Sequence, residues 1–187
     1  MIGFACCGSF CTLSRAMQQM EALAREYEIL PIVSPAVAET DTRFGKARDF
    51  LTLMEAITGR SPVRTIPDAE PLGPARPLDA LVIAPCTGNT LAKLANGITD
   101  TAVTMAAKAH LRNGKPLIIA LASNDALSAN LRNIGTLLAR KQVYFVPLGQ
   151  DDPISKPHSL VCDFGKISDT LQAALQGKQI QPLLLRG

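Results

Sequence analysis

Short apolar runs of strand length alternate along the chain with longer stretches in which apolar residues recur every three or four positions. The runs predict buried strands, and the recurring positions predict helices. The predicted strands are Ile2–Cys7, Glu28–Ser34, Val63–Ile66, Ala80–Ala84, Pro116–Ser123 and Val143–Pro147. The predicted helices are Leu13–Tyr27, Phe44–Thr58, Thr87–Asn96, Thr101–Asn113, Leu127–Arg140 and Phe164–Gln176. This alternation predicts an α/β fold in three layers, a doubly wound parallel sheet with helices on both faces.

The segments between these elements are polar or rich in proline. Pro67–Pro77 contains four prolines and is predicted to form a rigid connector. Gly149–His158 is predicted to form a polar loop before the last helix. Between the two central helices, Gly97 is expected to end the first, and Asp100 or Thr101 to cap the second.

The tail Lys178–Gly187 is apolar, with leucine at positions 183–185. We expect this tail to pack on a neighbouring protomer. The sequence contains no internal repeat and no low-complexity tract, and its length of 187 residues suits one domain. Residues 1–187 are therefore predicted to form a single domain with a C-terminal tail.

Composition and charge exclude several classes of protein. The net charge of +3 is spread along the chain, and there is no Trp and only two Tyr. A nucleic-acid-binding protein would show a basic block or stripe with aromatic residues, so nucleic acid is not an expected partner. No stretch reaches the roughly 20 apolar residues that span a bilayer, and the first strand lacks the basic start of a signal peptide. We expect a cytoplasmic protein that does not bind membranes.

The five cysteines are odd in number and form no CxxC pair, which argues against both a disulfide framework and a zinc site. Cys11 and Cys86 follow predicted strands at the start of helices, where a thiolate is stabilised. They could face each other across a site, but small buried packing residues are the favoured interpretation. Cys6 and Cys7 are interpreted as packing residues of the first strand.

Ligands bind open parallel sheets beyond the carboxyl ends of the strands, where the strand order reverses. Gly8-Ser9 follows the first strand, and Thr87-Gly88-Asn89-Thr90 follows the fourth. Glycine allows a close backbone approach, and the N–H groups of a helix start attract anions. The alternative for Gly8-Ser9 is an ordinary helix cap, since the GxGxxG fingerprint of dinucleotide sites is absent. We predict a site for a phosphate-bearing cofactor or another small anion.

No catalytic histidine is supported by the pattern. His110 and His158 lack a Cys, Asp or Ser at the spacing of a triad or metal site, and both are predicted to be surface residues. Arg43 and Lys46 are the best candidates for holding a carboxylate, because Arg binds carboxylates with two hydrogen bonds. A charged helix start is the alternative for both.

Several long motifs occur in the order that is typical of one family, the B subunits of dipicolinate synthase, which the chain resembles over nearly its whole length. The motifs are Gly8–Phe10, Thr40–Ala47, Ile83–Thr101, Met105–Asn113, Tyr144–Pro153 and Gly177–Leu185. The wider superfamily to which this family is similar comprises the flavoprotein-like cysteine decarboxylases. The resemblance implies a Rossmann-like flavoprotein fold that binds FMN between protomers of a homo-oligomer.

The hallmark loop of these decarboxylases resembles Pro-Ala-Ser-Ala-Asn-Thr, to which Pro85, Asn89 and Thr90 correspond. On this resemblance, the expected cofactor-binding residues are Gly8, Ser9, Ser34, Cys86, Thr87, Gly88, Asn89 and Thr90. Arg43 and Asn124 are the expected substrate-binding residues. The chain departs from the decarboxylases in two places: it has no histidine in 38–58, and Ser123-Asn124-Asp125 replaces their Pro-x-Met-Asn motif. Decarboxylation of a peptidyl cysteine is therefore not expected.

The resemblance implies an oxidoreductase subunit that works with a partner, the A subunit of dipicolinate synthase, in the mother cell of a sporulating bacterium. Together the two proteins would oxidise a dihydrodipicolinate precursor, a small dicarboxylate, to dipicolinate. The hydride acceptor would be FMN on this chain or NADP on the partner. The alternative is a non-catalytic structural or substrate-binding subunit that activates a nicotinamide-dependent partner.

Overall fold

The apolar runs form the strands of one seven-stranded sheet in the computed structural model, which describes residues 1–73 and 75–185. The strands are β1 (Ile2–Cys6), β2 (Ile29–Val33), β3 (Ala80–Cys86), β4 (Leu117–Ser123), β5 (Val143–Phe145), β6 (Leu148–Gly149) and β7 (Leu160–Cys162). The helices are α1 (Phe10–Ala24), α2 (Pro35–Glu39), α3 (Ala47–Thr58), α4 (Ile66–Ala69), α5 (Gly88–Asn96), α6 (Ala102–Leu111), α7 (Leu131–Leu138) and α8 (Ile167–Leu175).

The first five strands are parallel and lie in the order β2-β1-β3-β4-β5. The chain moves outward from β1 to β2 and then returns to the other side of β1 with β3. The strand order therefore reverses between β1 and β3, and a crevice opens there beyond the carboxyl ends of the strands.

Helices cover both faces of the sheet. Helices α1, α3 and α8 pack together on one face, and α4, α5, α6 and α7 pack on the other. Every residue of β1, β3 and β4 is buried, as a strand with helices on both faces requires. These layers confirm the predicted doubly wound α/β fold.

The sheet continues beyond the strand that the sequence predicts to be the last. Strands β6 and β7 follow β5, and β7 pairs antiparallel with Ala122 and Ser123 at the carboxyl end of β4. The tail joins this part of the sheet, because Leu148 N donates to Leu183 O and Leu185 N donates to Leu148 O, both at 2.8 Å. Within the described residues the tail therefore contacts its own sheet; Arg186 and Gly187 lie outside them.

The side chain of Gln179 completes the hydrogen bonds at the edge of β5. Its Nε2 donates to Phe145 O at 2.7 Å, and Phe145 N donates to its Oε1 at 2.8 Å. An amide side chain presents the same donor and acceptor as a peptide unit. Gln179 thus occupies the position at which a neighbouring strand would bond.

Three other predicted elements differ from the structure. Val63 forms only a single bridge to Ile32, and α4 and a 3₁₀ turn lie within the proline-rich connector, at 66–72. The helix predicted from Leu127 begins at Leu131 after a series of turns. No helix in the described parts of the chain is long and apolar enough to cross a membrane.

The prediction that His110 is a surface residue is wrong. Its side chain is fully buried on the inner face of α6, and its Nε2 lies 2.9 Å from Pro116 O. Its Nδ1 has no hydrogen-bond partner among the described residues. Burial lowers the pKa of this imidazole. His158 is exposed, as predicted.

Candidate functional site

Two helices begin side by side at the point where the strand order reverses. Cys7 N, just beyond β1, donates to Pro85 O at 3.1 Å, and Thr90 Oγ1 donates to Cys7 Sγ at 3.3 Å. These contacts hold the loop before α1 against the loop before α5. The first N–H groups of both helices have no intrahelical partner, so their dipoles favour an anion in the same crevice.

The two helix starts use their hydroxyl groups differently. Thr87 caps α5, because its Oγ1 accepts a hydrogen bond from Thr90 N at 3.2 Å. Ser9 accepts a hydrogen bond from Thr12 Oγ1 at 2.9 Å but caps no backbone N–H of α1. In the first turn of α1, Thr12 N donates to Ser9 O at 3.0 Å, so the N–H groups available to a ligand are those of the residues before it in the helix.

A cleft of about 780 Å³ opens in front of these helix starts, a size in the range of cofactor and substrate sites. One wall comes from the loops before α1 and α5, another from the end of β4, and the third from the loop between β6 and β7. The polar lining residues are Ser9, Cys11, Thr12, Thr87, Asn89, Ser123, Asn124, Asp125, Asp151, Ser155, Lys156, His158 and Ser159. The lining combines many hydrogen-bonding groups with a comparable area of apolar surface.

A polar network supports the wall after β4. Ser123 Oγ donates to Asp125 Oδ1, and Asn130 Nδ2 lies 3.0 and 2.9 Å from the two oxygens of the same carboxylate. Asn133 Nδ2 in turn donates to Asn130 Oδ1 at 2.8 Å. The hydrogen bonds from Ser123 and then Asn130 lower the pKa of Asp125. The network fixes an ionised carboxylate in the cleft.

The loop opposite this wall carries charges of both signs. Lys156 Nζ lies 3.1 Å from Asp151 Oδ2. The Ser159 hydroxyl and then Lys156 lower the pKa of the Asp151 carboxyl, and Asp151 raises the pKa of Lys156. Lys156 is the one ammonium group among the residues that line the cleft.

Five of the predicted site residues line this cleft, namely Ser9, Thr87, Gly88, Asn89 and Asn124. Gly8 and Ser34 lie beside it, at the ends of β1 and β2. A Cβ on Gly8 would lie 3.0 Å from Ala36 Cβ, so the loop passes close to α2. The buried Ser34 Oγ has no hydrogen-bond partner within the described residues.

The structure does not bring the remaining predicted residues into the lining. Cys86 and Thr90 are buried behind the loop, where burial raises the pKa of the Cys86 thiol. Arg43 lies over the ring of its neighbour Phe44, with its guanidinium carbon 4.8 Å from the ring centroid. Cys11 lines the cleft and is exposed, so it does not face the buried Cys86.

Sequence reasoning missed the charged residues of the cleft, above all Asp125 and Lys156. Both follow strands, as the predicted site loops do, but Lys156 comes after β6, which is too short to be predicted. No group of three or more His, Cys, Asp or Glu residues in the described part of the chain could hold a metal ion.

Comparisons with known proteins agree with this fold. Residues 61–177 match the family described as Flavoprotein. The chain is 44% identical over 185 residues to the B subunit of dipicolinate synthase from Bacillus subtilis (strain 168), covering 98% of this chain and 92% of the relative.

Solved structures give the same result. The crystal structure of the dipicolinate synthase B subunit from Bacillus halodurans matches with a TM-score of 0.91 and 45% identity, over 99% of this chain and 95% of that one. The FMN-dependent cysteine decarboxylase SpaF matches with a TM-score of 0.66 and 25% identity, over 94% and 95% of the two chains. This chain therefore belongs to the flavoprotein family and, within it, groups with the B subunits of dipicolinate synthase.

Proposed function

We propose that this chain works with the A subunit of dipicolinate synthase in the cytoplasm of the mother cell of a sporulating bacterium, where the two oxidise a dihydrodipicolinate precursor to dipicolinate. The observation that carries the proposal is the cleft at the β1/β3 crevice, where α1 and α5 begin side by side. The proposal is supported by the 44% identity to a dipicolinate synthase B subunit over 98% of the chain.

FMN is the proposed cofactor, and the residues at the crevice suit its phosphate. The N–H groups at the starts of α1 and α5, with Ser9, Thr87 and Asn89, would hold this dianion. The buried and unpartnered Ser34 Oγ would gain a partner from a bound ligand. When bound, FMN supplies an acceptor for a hydride. A nicotinamide cofactor such as NADP, bound to the partner protein, is the other proposed acceptor.

The dicarboxylate substrate would lie in the same cleft, beside the proposed phosphate site. Lys156 and Asn124 supply a cation and an amide that suit carboxylate groups. Arg43 does not line the cleft of its own chain. The proposed contact would therefore be made by Arg43 of a second copy in a homo-oligomer, which would reach the substrate in the cleft of the first.

A second function is a non-catalytic, substrate-binding subunit that activates a nicotinamide-dependent partner. The composition of the cleft favours this candidate, because most of its lining residues carry hydrogen-bonding groups that would hold a polar ligand. Hydrogen bonds lower the pKa values of Asp125 and Asp151, so at neutral pH both carboxylates can accept hydrogen bonds or a proton but cannot donate one.

Replacing Asn89 by Ala separates the two functions. If the cleft binds FMN for catalysis, Asn89→Ala should weaken FMN binding about ten-fold and lower the turnover of the two-protein complex, because a hydrogen bond to a charged phosphate is lost. Flavin fluorescence on titration measures binding, and dipicolinate formation measures turnover. Asn96→Ala is the matched control, since Asn96 lies at the other end of α5 and bonds only to Ala92 O.

Ser34→Ala adds a readout that does not depend on activity. The unfolding free energy of the chain alone should not fall, because Ser34 Oγ has no hydrogen-bond partner among the described residues, whereas FMN affinity should decrease. Full turnover of the Asn89→Ala complex, with no flavin taken up by the wild type, would favour the non-catalytic function.

A further inference from the structure

A second concave site lies at the far end of α5, away from the cleft. It has a volume of about 290 Å³ and is enclosed by α5, α6 and α7 with the first residue of β4. Since α5 has nine residues, its two ends are roughly 13 Å apart, and the two sites are separate.

The floor of this second pocket is apolar. Leu94, Leu117 and Leu137 are buried residues of the core and form its base. Ile98 at the rim is 47% exposed, which leaves a large aliphatic side chain open to solvent beside the opening. A flat apolar group entering the pocket would cover these surfaces and gain hydrophobic stabilisation.

Three cations surround this floor without a carboxylate partner. Lys108, Arg112 and Arg140 make no ion pair with any described residue. The nearby Asp100 is bound by Lys93 at 2.8 Å. Arg140 Nη1 lies 3.4 Å from Leu94 O, and the guanidinium group of Arg112 makes no hydrogen bond to a described residue.

The helix dipole explains only part of this arrangement. Lys108 lies in the last turn of α6, where a cation is stabilised by the helix C-terminus. Lys108 and Arg112, however, are four residues apart at the end of α6, where like charges on one face repel each other. Arg140 follows the end of α7 and lines the same pocket. An anionic ligand would account for all three cations.

We propose that this pocket is a second ligand site, which takes a small planar ring carrying carboxylate groups. The ring would lie on the leucine floor, and each carboxylate would accept hydrogen bonds from the guanidinium groups of Arg112 and Arg140. Its volume is near the lower limit of small-molecule sites, which suits a single ring. Dipicolinate belongs to this ligand class, and on the proposed function it would bind here as a product that regulates its own synthesis.

Calorimetry with two probes tests the site on the full chain. Pyridine-2,6-dicarboxylate is the product in the proposed reaction, and benzene-1,3-dicarboxylate has the same spacing of carboxylates without the ring nitrogen. Both should bind the wild type, with affinity decreasing as salt is added. Arg140→Gln and Arg112→Gln should each weaken both probes about ten-fold.

Arg132→Gln is the matched control, because Arg132 is an exposed arginine of α7 outside both sites. This variant should retain the binding of benzene-1,3-dicarboxylate, and so should Asn124→Ala, which alters the proposed substrate contact in the cleft. Equal thermal unfolding midpoints of the variants would show that each one is folded.

Two results would overturn the proposal. One is binding of both probes at wild-type affinity to Arg112→Gln and Arg140→Gln, which would place the ligand outside this pocket; loss of the same binding in Asn124→Ala would place it in the cleft. The other is an absence of binding of either probe to the wild type at low salt. Failure of the proposed oxidation would appear instead as a lack of turnover with the partner protein, and it would leave the result with benzene-1,3-dicarboxylate unchanged.

Discussion

At the scale of single residues, the first position of α5 has no room for a side chain. A Cβ on Gly88 would lie 2.5 Å from Ser123 Oγ, 2.7 Å from Asn130 Nδ2 and 2.8 Å from Asp125 Oδ1. Glycine is needed here because the polar network after β4 packs directly on the backbone of α5 and leaves no space for a Cβ atom. At Gly88 the wall formed by the start of α5 therefore packs against the wall formed by the end of β4.

Gly88→Ala should lower the free energy of unfolding by about 1–3 kcal/mol, because the network must move away from the added methyl group. Gly135→Ala in α7 is the matched control: nothing lies within 4 Å of its Cβ position. That change should raise the free energy of unfolding by about 0.5–1 kcal/mol through helix propensity. Urea denaturation measures both, and equal stability of the two variants would contradict the close packing at Gly88.

Sequence reasoning located the residues that follow predictable strands. Ser9, Asn89 and Asn124 could be found because a strand-end position and a hydrogen-bonding side chain coincide. The burial of His110 could not be found in this way, since the charged Lys108 and Arg112 on the same helix suggested a solvated face. Residues two apart on a helix do not share a face, so the histidine points inward while both cations remain exposed.

At the scale of elements, the start of α6 is fixed by two threonines. Thr104 N donates to Thr101 Oγ1 at 3.2 Å, and Thr101 N donates to Thr104 Oγ1 at 3.1 Å. This capping box satisfies an otherwise unpaired N–H at the first turn. It sets the position of a helix that contributes to the core and to the second pocket.

Thr101→Ala should lower the free energy of unfolding by about 1 kcal/mol, because the cap hydroxyl is lost. Thr101→Ser keeps the hydroxyl and should recover most of this loss. Chemical denaturation followed by circular dichroism measures both variants. A Thr101→Ser variant as unstable as Thr101→Ala would show that the methyl group, rather than the cap, stabilises the helix start.

The parallel strands could be predicted from the sequence, and the short antiparallel strands could not. Gly97, with a φ of 71°, ends α5 as expected. The five parallel strands follow the apolar runs, including β5, whose three residues lie within the predicted run Val143–Pro147. Strands β6 and β7 have two and three residues, and neither lies in a predicted run. Strand β7 pairs with the end of β4 and β6 pairs with β7, and these pairings are not visible in the residues of the two short strands.

At the scale of the whole molecule, lowering the pH should decrease the free energy of unfolding in two separate ranges of pH. Burial lowers the pKa of His110 below its ordinary value of 6.5. Hydrogen bonds from Ser123 lower the pKa of Asp125 below 3.8. In each range the unfolded chain binds a proton that the folded chain does not, so the free energy of unfolding falls as the pH falls.

His110→Gln should remove the first of these decreases, because an amide can donate to Pro116 O without titrating. In the wild type the slope between pH 6.5 and the lower pKa of the folded state should reach at most about 1.4 kcal/mol per pH unit for this one group. Urea denaturation at a series of pH values measures it. The exposed His158→Gln is the control and should keep the wild-type slope; a wild-type slope in His110→Gln would contradict the assignment.

The contacts of Gln179 and the tail also determine how the protein behaves at high concentration. An open strand edge is a template on which another chain can add and begin an aggregate. The segment after α8 meets both exposed edges on this side of the sheet, at Phe145 of β5 and Leu148 of β6. On this side of the sheet the chain therefore supplies its own partners for the edge strands, which opposes the addition of a strand from another copy at these positions.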